Sequence, residues 1–532
     1  MRPMTCAGFQ SNRRSSNSSL QPSAKWYIAR GRCWQRGRDN IVLPTPREIR
    51  ENRVWIFNPL VSCYPGSDGF RWMGGMKADS PGTIFSVPYE IAVVRPLRQT
   101  TLGDRDDALR AAHYNTELIP QDLIYIDLCT DSGVSSLSTS QLSALAGPKF
   151  AEPGMGLAPE GSRAYALLSE QIRQSFGFPY VVATTQGRSA ERIWTKINIK
   201  PDTVVAGNML FPSTRNHIEL NGAKIIDVIT ESAHDLASSD PFKGNVDLEK
   251  LAAAIEQHGA EKISCIYVEL CVNACGGQPV SLANLKAVRT LATAHKIPFF
   301  LDASRILENS FLVKERERGY HDRRLREIVS ETCAAADACT MSALKDLLVS
   351  SGGLLLTRDR GSYQKASMQA FIDGVQLPGV AMELLVTSLD DIFASESTMA
   401  NRVGQVNYLW HRLSDGVPLV KPAGGHAVFL DVRAFLPHLS PEQFPAEALA
   451  AFIYHMSGVR VTKGPPAAPS QARRGLELLR LAIPARKYLR GHMDDVTEAV
   501  LNAYAHRHEI KGLKRVEDSA RSKYDPAHFR QP

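Results

Sequence analysis

The sequence predicts an α/β protein, a mainly parallel sheet with helices on both faces, joined to a smaller α+β domain. Three observations predict it. Between about residues 180 and 357, short apolar runs of strand length alternate with stretches of helical period. The helical stretches carry start and stop signals at their ends. After about Asp373 the alternation gives way to a long helical stretch, a Gly-led strand and further helices.

The elements follow in order. YVVATT (180–185) reads as a strand and GRSAERIWTKI as the helix after it. TVVAGN (203–208) and KIIDVI (224–229) are strand-like. VDLEKLAAAIEQHG places Leu248, Leu251, Ala252 and Ile255 on one helical face, with Asp247 as N-cap and Gly259 as stop. ISCIYVEL (263–270) is a strand, and SLANLKAVRTLATAHK is a helix capped by Ser281. IPFFLDAS is a strand ending at Asp302. DACTMS leads to Lys345, and GGLLLTRD is a further strand. This alternation argues for parallel strands with helical crossovers, and in such sheets sites collect at the carboxyl ends of strands. Gln186, Asp302 and Lys345 all fall there. A helical stretch over 381–415 precedes the strand in GGHAVFLDVRAF. The Pro/Gly-rich segment 147–162 reads as a loop.

Composition narrows the function classes. The chain has 532 residues, 44% hydrophobic and 22% charged, as in an ordinary globular protein. No apolar run of 18 or more residues is present, so a membrane partner is not expected. The net charge is +7. Residues 1–47 hold nine Lys/Arg against one acid, Asp39, and so carry +8, which leaves the remainder at −1. A near-neutral body gives no electrostatic argument for nucleic acid. The Ser- and Arg-rich N-terminus suits a disordered tail or a wrongly assigned start, with mitochondrial targeting as the alternative to a cytoplasmic location. Nine cysteines without a paired framework read as reduced thiols, and Cys271 and Cys275 have no second pair to complete a zinc site.

Lys345 lies among small and apolar neighbours, with Leu344, Leu347 and Leu348 reading as buried. An ammonium is costly there unless it is paired or its charge is removed, and an imine to an aldehyde removes it. Neither a Walker A pattern nor a GxGxxG after a strand is present, so a nucleotide cofactor has little support. The parts of a pyridoxal phosphate site are present. Asp302 ends a buried strand, with Arg305 three residues on and a lysine about forty residues downstream. Gln186, Gly187 and Arg188 open a helix whose free N–H groups suit a phosphate.

Several ordered blocks carry a family resemblance. They are YIDLCTDSG (125–133), TTQGRSAE (184–191), AGNMLFPSTR (206–215), GGQPVSLANLKAVR (276–289), LDASRILENSFLVKERERGY (301–320), CTMSALKD (339–346), GGHAVFLDVR (424–433) and LLRLAIP (478–484). From about Pro88 to Arg515 the chain resembles the tyrosine phenol-lyase and tryptophanase family of pyridoxal-phosphate β-eliminating lyases. The resemblance implies an aspartate-aminotransferase-like fold (fold type I) with a seven-stranded, mainly parallel sheet. It implies a large domain of 131–379, a small domain of 85–130 with 380–532, and an N-terminal extension of 1–84, largely disordered. It implies that Lys345 forms the imine and shuttles the Cα proton, and that Gln186, Gly187, Arg188 and Ser342 hold the phosphate. Phe211 would stack on the ring, Asp302 would pair with the pyridine nitrogen, and Asn273 and Arg305 would lie near the 3′ oxygen. Arg480 would grip the substrate carboxylate, a task suited to its fork, and Thr130 and Ser132 would contact the amino-acid end. His426 is read as a packed histidine.

The departures lie at the leaving-group end. The family's cation-binding glutamate and tyrosine acid do not align in the enlarged loop 147–162, where Phe150 and Glu160 are only sequence neighbours, so a monovalent cation is doubtful. Pro212 follows Phe211 where the phenol-lyases carry threonine. Leu344 stands where the family has a second lysine, and the segment after 373 is shortened. Lys463 stands near the phenol-facing arginine, one position out of register. Tyr524 and Phe529 do not reproduce the family's aromatic wall. The implied activity is β-elimination from an L-amino acid, aromatic substrates such as tyrosine or tryptophan first, giving pyruvate, ammonia and the leaving group. Retro-aldol cleavage, β-replacement, transamination, and a catalytically degenerate cofactor-binding protein remain open. A homodimer or homotetramer is implied by the family alone.

Overall fold

The computed structural model describes residues 26–29, 32–36, 41–42, 97–146, 161–464, 476–516 and 527–532. The chain divides into two units, Met1–Gly82 and Thr83–Pro532. In the first, Trp26–Ala29, Arg32–Arg36 and Ile41–Val42 form a small antiparallel sheet. The rest of the expected extension 1–84 lies outside the described residues. So do Tyr524 and the expected loop 147–162, save for its last two residues.

The second unit is built on a seven-stranded sheet. Its strands are β1 (Tyr180–Thr184), β2 (Val204–Gly207), β3 (Lys224–Asp227), β4 (Ile263–Glu269), β5 (Phe299–Asp302), β6 (Ala338–Ser342) and β7 (Gly353–Thr357). Their order is β1-β7-β6-β5-β4-β2-β3. β6, β5, β4, β2 and β3 pair in parallel, while β7 is antiparallel to both β6 and β1. No helix separates β6 from β7, and the chain turns back through 343–352 directly, which forces the antiparallel pairing.

Successive strand residues serve opposite faces, so each strand feeds two cores. Val182, Cys265, Tyr267 and Phe300 pack with Ala190, Ile193 and Trp194 of α1 (Gly187–Asn198) and with Ile218 of α2 (Pro212–Leu220). Val181, Ala183, Ile266, Val268, Phe299 and Leu301 face the larger core on the other side. That core includes α3 (Leu248–His258) and α4 (Leu282–Ala294). Asp247 and Ser281 cap these two helices as the sequence predicts, and Gly259 ends α3 at φ 79°.

The expected single helix over 381–415 is two helices, α6 (Gly379–Ala394) and α7 (Ser397–Ser414). Glu396 marks the break. Its carboxylate pairs with Lys314 of α5 (Ile306–Arg316) at 2.6 Å and accepts the Leu325 N–H at 2.7 Å. α6 packs into the core of the large sheet through Met382, Leu385, Leu389 and Ile392, although it begins at the boundary where the small domain was expected. α7 serves the large-sheet core with Met399 and Val403, and a second core with Val406, Leu409 and Leu413. This second core lies by a three-stranded antiparallel sheet of β8 (Ala427–Asp431), β9 (Thr462–Lys463) and β10 (Leu478–Ala482). Ile126 and Leu128 join it. Among the described residues no helix is long and apolar enough to cross a membrane.

Candidate active site

The carboxyl ends of β1, β4, β5 and β6 converge on one place. β1 runs into the turn that carries Gln186, the N-cap of α1. Gly187 begins the helix, and a Cβ there would sit 2.7 Å from Ser342 Cβ and 2.8 Å from Ser342 Cα. The first turn of α1 therefore lies against the end of β6 with no room for a side chain. Gly187 is buried, and Gln186 and Arg188 flank it on the exposed side. The Ser342 N–H donates to Ser304 Oγ at 2.9 Å, which ties the cup to the end of β5.

Lys345 follows β6 in a turn closed by its own N–H to the Ser342 carbonyl at 3.2 Å. It is half-buried. Leu347 and Leu348 are buried as the sequence suggests, but Leu344 is only half-buried, because its carbonyl accepts the Gly133 N–H at the edge of the site. Lys345 Nζ lies 5.0 Å from the centre of the Phe211 ring. Among the described residues no carboxylate forms an ion pair with it. Phe211 is the N-cap of α2, with Pro212 at the first helical position, where a missing N–H costs nothing.

Three acids face the lysine. Asp302 is buried at the end of β5 and accepts the Ser304 N–H at 3.0 Å. Glu269 is its register partner on β4. Burial and then the charge of Asp302 push the Glu269 carboxyl up to about 8. Glu191 of α1 accepts from Ser213 Oγ at 2.7 Å, and burial, followed by Asp302, raises it to about 7. Asn273 is buried and donates its N–H to Glu269 Oε1 at 2.9 Å.

Arg305 does not pair with Asp302. Its guanidinium grips Asp131 with both Nη atoms, at 2.8 and 3.0 Å. Asp131 also accepts from Arg402 Nη2 at 2.7 Å and from Arg480 Nη2 at 2.5 Å. Burial alone would raise this carboxyl, but Arg305, Arg480 and Arg402 outweigh it and hold it well below the usual range. Glu308 and Asp346 complete the set through Arg305 and Arg402. His426 is fully buried, with Nδ1 2.7 Å from Glu308 Oε1 and Nε2 3.3 Å from Asn273 Oδ1. Burial pushes it down to about 4, so it is a neutral, packed histidine that joins Asn273 to the charged set.

Thr130 and Ser132 flank Asp131, and the Ser132 N–H donates to Thr130 Oγ1 at 3.1 Å. Arg480, on β10, therefore meets the loop that holds both. Lys463 is not brought to this group. It is exposed on β9 and pairs with Glu447 at 2.7 Å. Thr462 is the β9 residue opposite Arg480, so strand alternation turns Lys463 to the other face. Phe529 packs with Phe444 in the second core.

The sequence reading passed over Asp131, Glu191, Glu269, Glu308, Asp346 and Arg402. All but Glu269 and Arg402 lie inside the quoted blocks, where their burial was the missing information.

The residues present fit pyridoxal phosphate. An amine stands over an aromatic face, a buried carboxylate ends the adjoining strand, and a helix N-terminus forms a cradle that a single Cβ would fill. Comparisons with known proteins agree. The β-eliminating lyase family model matches residues 127–499. Tyrosine phenol-lyase of Symbiobacterium thermophilum is 44% identical over 83% of this chain and 98% of its own. Tyrosine phenol-lyase of Pasteurella multocida is 41% identical over the same shares. Among solved structures, a serine palmitoyltransferase of Sphingomonas wittichii superposes with a TM-score of 0.54 at 16% identity, covering 77% of this chain and 97% of its own. A Thermus thermophilus aspartate aminotransferase double mutant does so with a TM-score of 0.52 at 16% identity over the same shares. The likeness of those two is one of fold. The family model and the relatives place the chain in the β-eliminating lyase family, as a pyridoxal-phosphate-dependent lyase.

Proposed function

We propose that the chain cleaves an L-amino acid by β-elimination to pyruvate, ammonia and the β-substituent, with L-tyrosine as its first substrate. The observation that carries this reading is the Lys345 amine held over the Phe211 face, with Asp302 buried at the end of the adjoining strand. The tyrosine phenol-lyases are the relatives that point to tyrosine. Bound pyridoxal phosphate would supply the electron sink for the pair released at Cα.

Each residue has a task in this reading. Lys345 would hold the cofactor and then take the Cα proton on Nζ. Asp302 would keep a proton on the pyridine nitrogen through its charge. Gln186, Gly187, Arg188 and Ser342 would hold the phosphate, and Phe211 would fix the ring plane. Asn273 and Arg305 would flank the 3′ oxygen. Arg480, anchored on one side by Asp131, would offer its remaining donors to the substrate carboxylate, and Thr130 and Ser132 would line the same end. The Arg480 Nε is buried and has no partner among the described residues. A homodimer or homotetramer belongs to the same reading through the family.

The test offers L-tyrosine, L-tryptophan, L-serine and an S-alkyl-L-cysteine to the loaded protein and assays pyruvate. Release of pyruvate and phenol from L-tyrosine is the expected result. Pyruvate from the cysteine derivative alone would move the specificity to thiol leaving groups, which need less help from an acid, in keeping with Pro212 beside Phe211. No pyruvate from any of the four would remove elimination as the activity.

Gly187→Ala tests the cup. The added Cβ meets Ser342 below 3.0 Å on both Cα and Cβ, so backbone must move. Affinity for pyridoxal phosphate is expected to fall at least about tenfold, measured by titrating the apoprotein, and an unchanged affinity would place the phosphate elsewhere.

A further inference from the structure

Glu269 is fully buried beside Asp302, yet the protein gives it little support as an anion. β4 and β5 run parallel with Glu269 and Asp302 in register at their carboxyl ends. One Glu269 oxygen accepts the Asn273 N–H at 2.9 Å, while the other, Oε2, is buried with no partner among the described residues. An ionised carboxylate would leave that oxygen bare next to a second carboxylate, which is costly at this depth.

Of the charged groups around it, Lys345 and Arg305 draw its carboxyl down, but burial and the charge of Asp302 outweigh them. Arg305, before α5, is committed to Asp131 and Glu308. Lys345, after β6, is the amine that the proposed cofactor would take up. Glu191, from α1, adds a further acid next to Asp302. The Cys275 thiol, just beyond Asn273, is pushed up to about 12 by burial and is neutral. His426, reached through Asn273, is neutral too.

We propose that Glu269 works in its protonated form, as a positioning residue that keeps a second charge off the strand ends beside Asp302 and fixes Asn273 at the edge of the cofactor ring. The proton resides on Oε2. Deprotonation at alkaline pH would place a second charge beside Asp302 and alter the protonation of the cofactor. This inference rests on the cofactor reading for its consequence, but the protonation itself belongs to the protein alone.

The sign of the stability effect follows from linkage. Burial raises the folded-state value from 4.5 to about 8, so the native state keeps a proton that the unfolded state has already lost. Stability then falls as pH rises from about 4.5 to about 8 and is flat with respect to this group above that. Glu269→Gln is the neutral isostere and removes this slope.

Thermal unfolding of wild type and Glu269→Gln would be followed from pH 5 to 9, with and without pyridoxal phosphate. The expected result is a variant nearly equal to wild type at pH 5 and more stable by about 3 °C or more at pH 8. In the loaded wild type, a visible-absorbance transition near pH 8 is expected, and it is absent in the variant. A variant less stable than wild type across this range, or an unchanged transition, would overturn the proposal. Infrared spectra of Glu191→Gln protein labelled with ¹³C-glutamate, free of the Glu191 acid band, give an independent reading if the Glu269 variant does not fold. A glutamic acid band that disappears as pH passes about 8 supports the proposal, and its absence at pH 6 overturns it. The apoprotein data decide protonation even if no elimination is found, so the two readings fail separately.

Discussion

Lys345→Ala protein is expected to release pyruvate at least about 10³-fold more slowly than wild type while keeping its fold. The amine has two tasks in the proposed cycle, anchoring the cofactor and moving the Cα proton, and alanine can do neither. No second lysine stands beside it, since Leu344 occupies the preceding position and turns toward Gly133. Stability should change little. Lys345 is half-buried and, among the described residues, forms no ion pair with a carboxylate, so its removal breaks no salt bridge. Melting temperature, cofactor spectrum and pyruvate release measured together separate these effects. A variant that unfolds, or that still turns over at a tenth of the wild-type rate, would contradict the assignment. Partial rescue by a small primary amine would support the proton-transfer part of the role.

Asp131→Asn is expected to have the largest effect on stability of any single change near the site. Its carboxylate is almost completely buried and bonds to three guanidiniums. Removing the charge leaves Arg305 and Arg402 with Glu308 and Asp346 alone, and takes from Arg480 the carboxylate it pairs with. Breaking a buried pair in this way costs about 3–5 kcal/mol, mostly from uncompensated charge rather than lost attraction. A fall in Tm of about 3–5 °C follows for a chain of this size. The folded-state value of Asp131 lies below the ordinary carboxylate range, so its contribution is complete above that range and lost only as pH falls through the folded value. The deficit of the variant should therefore be constant across neutral pH and shrink only in acid. Loss of the Asp131 contact also frees Arg480, so KM for an amino acid should rise more than kcat falls. A variant as stable as wild type would mean that the three arginines find other partners.

Much of the central sheet could be read from the sequence because its signals are local. Each strand is a short apolar run, and Asp247, Gly259 and Ser281 mark helix ends by their own chemistry. Asp302 and Lys345 were found because strand ends carry sites in this type of sheet. The charged set around Asp131 was hidden for the opposite reason. Its bonds join residues 174, 271 and 349 positions apart, and nothing local reports such contacts. The break between α6 and α7 was hidden likewise, since Glu396 is held by Lys314 and Leu325 from distant segments. Lys463 illustrates the sensitivity of a strand to register, where one residue decides which face a side chain takes. The seventh strand was legible as GGLLLTRD, and its antiparallel direction follows from the absence of a helix before it.

The most direct test of the account is where the cofactor attaches. The protein would be loaded with pyridoxal phosphate, reduced with borohydride, digested, and its peptides mapped by mass. The account predicts about one phosphopyridoxyl group per chain, on Lys345. A label on another lysine, or no label on a protein that remains folded, would contradict it.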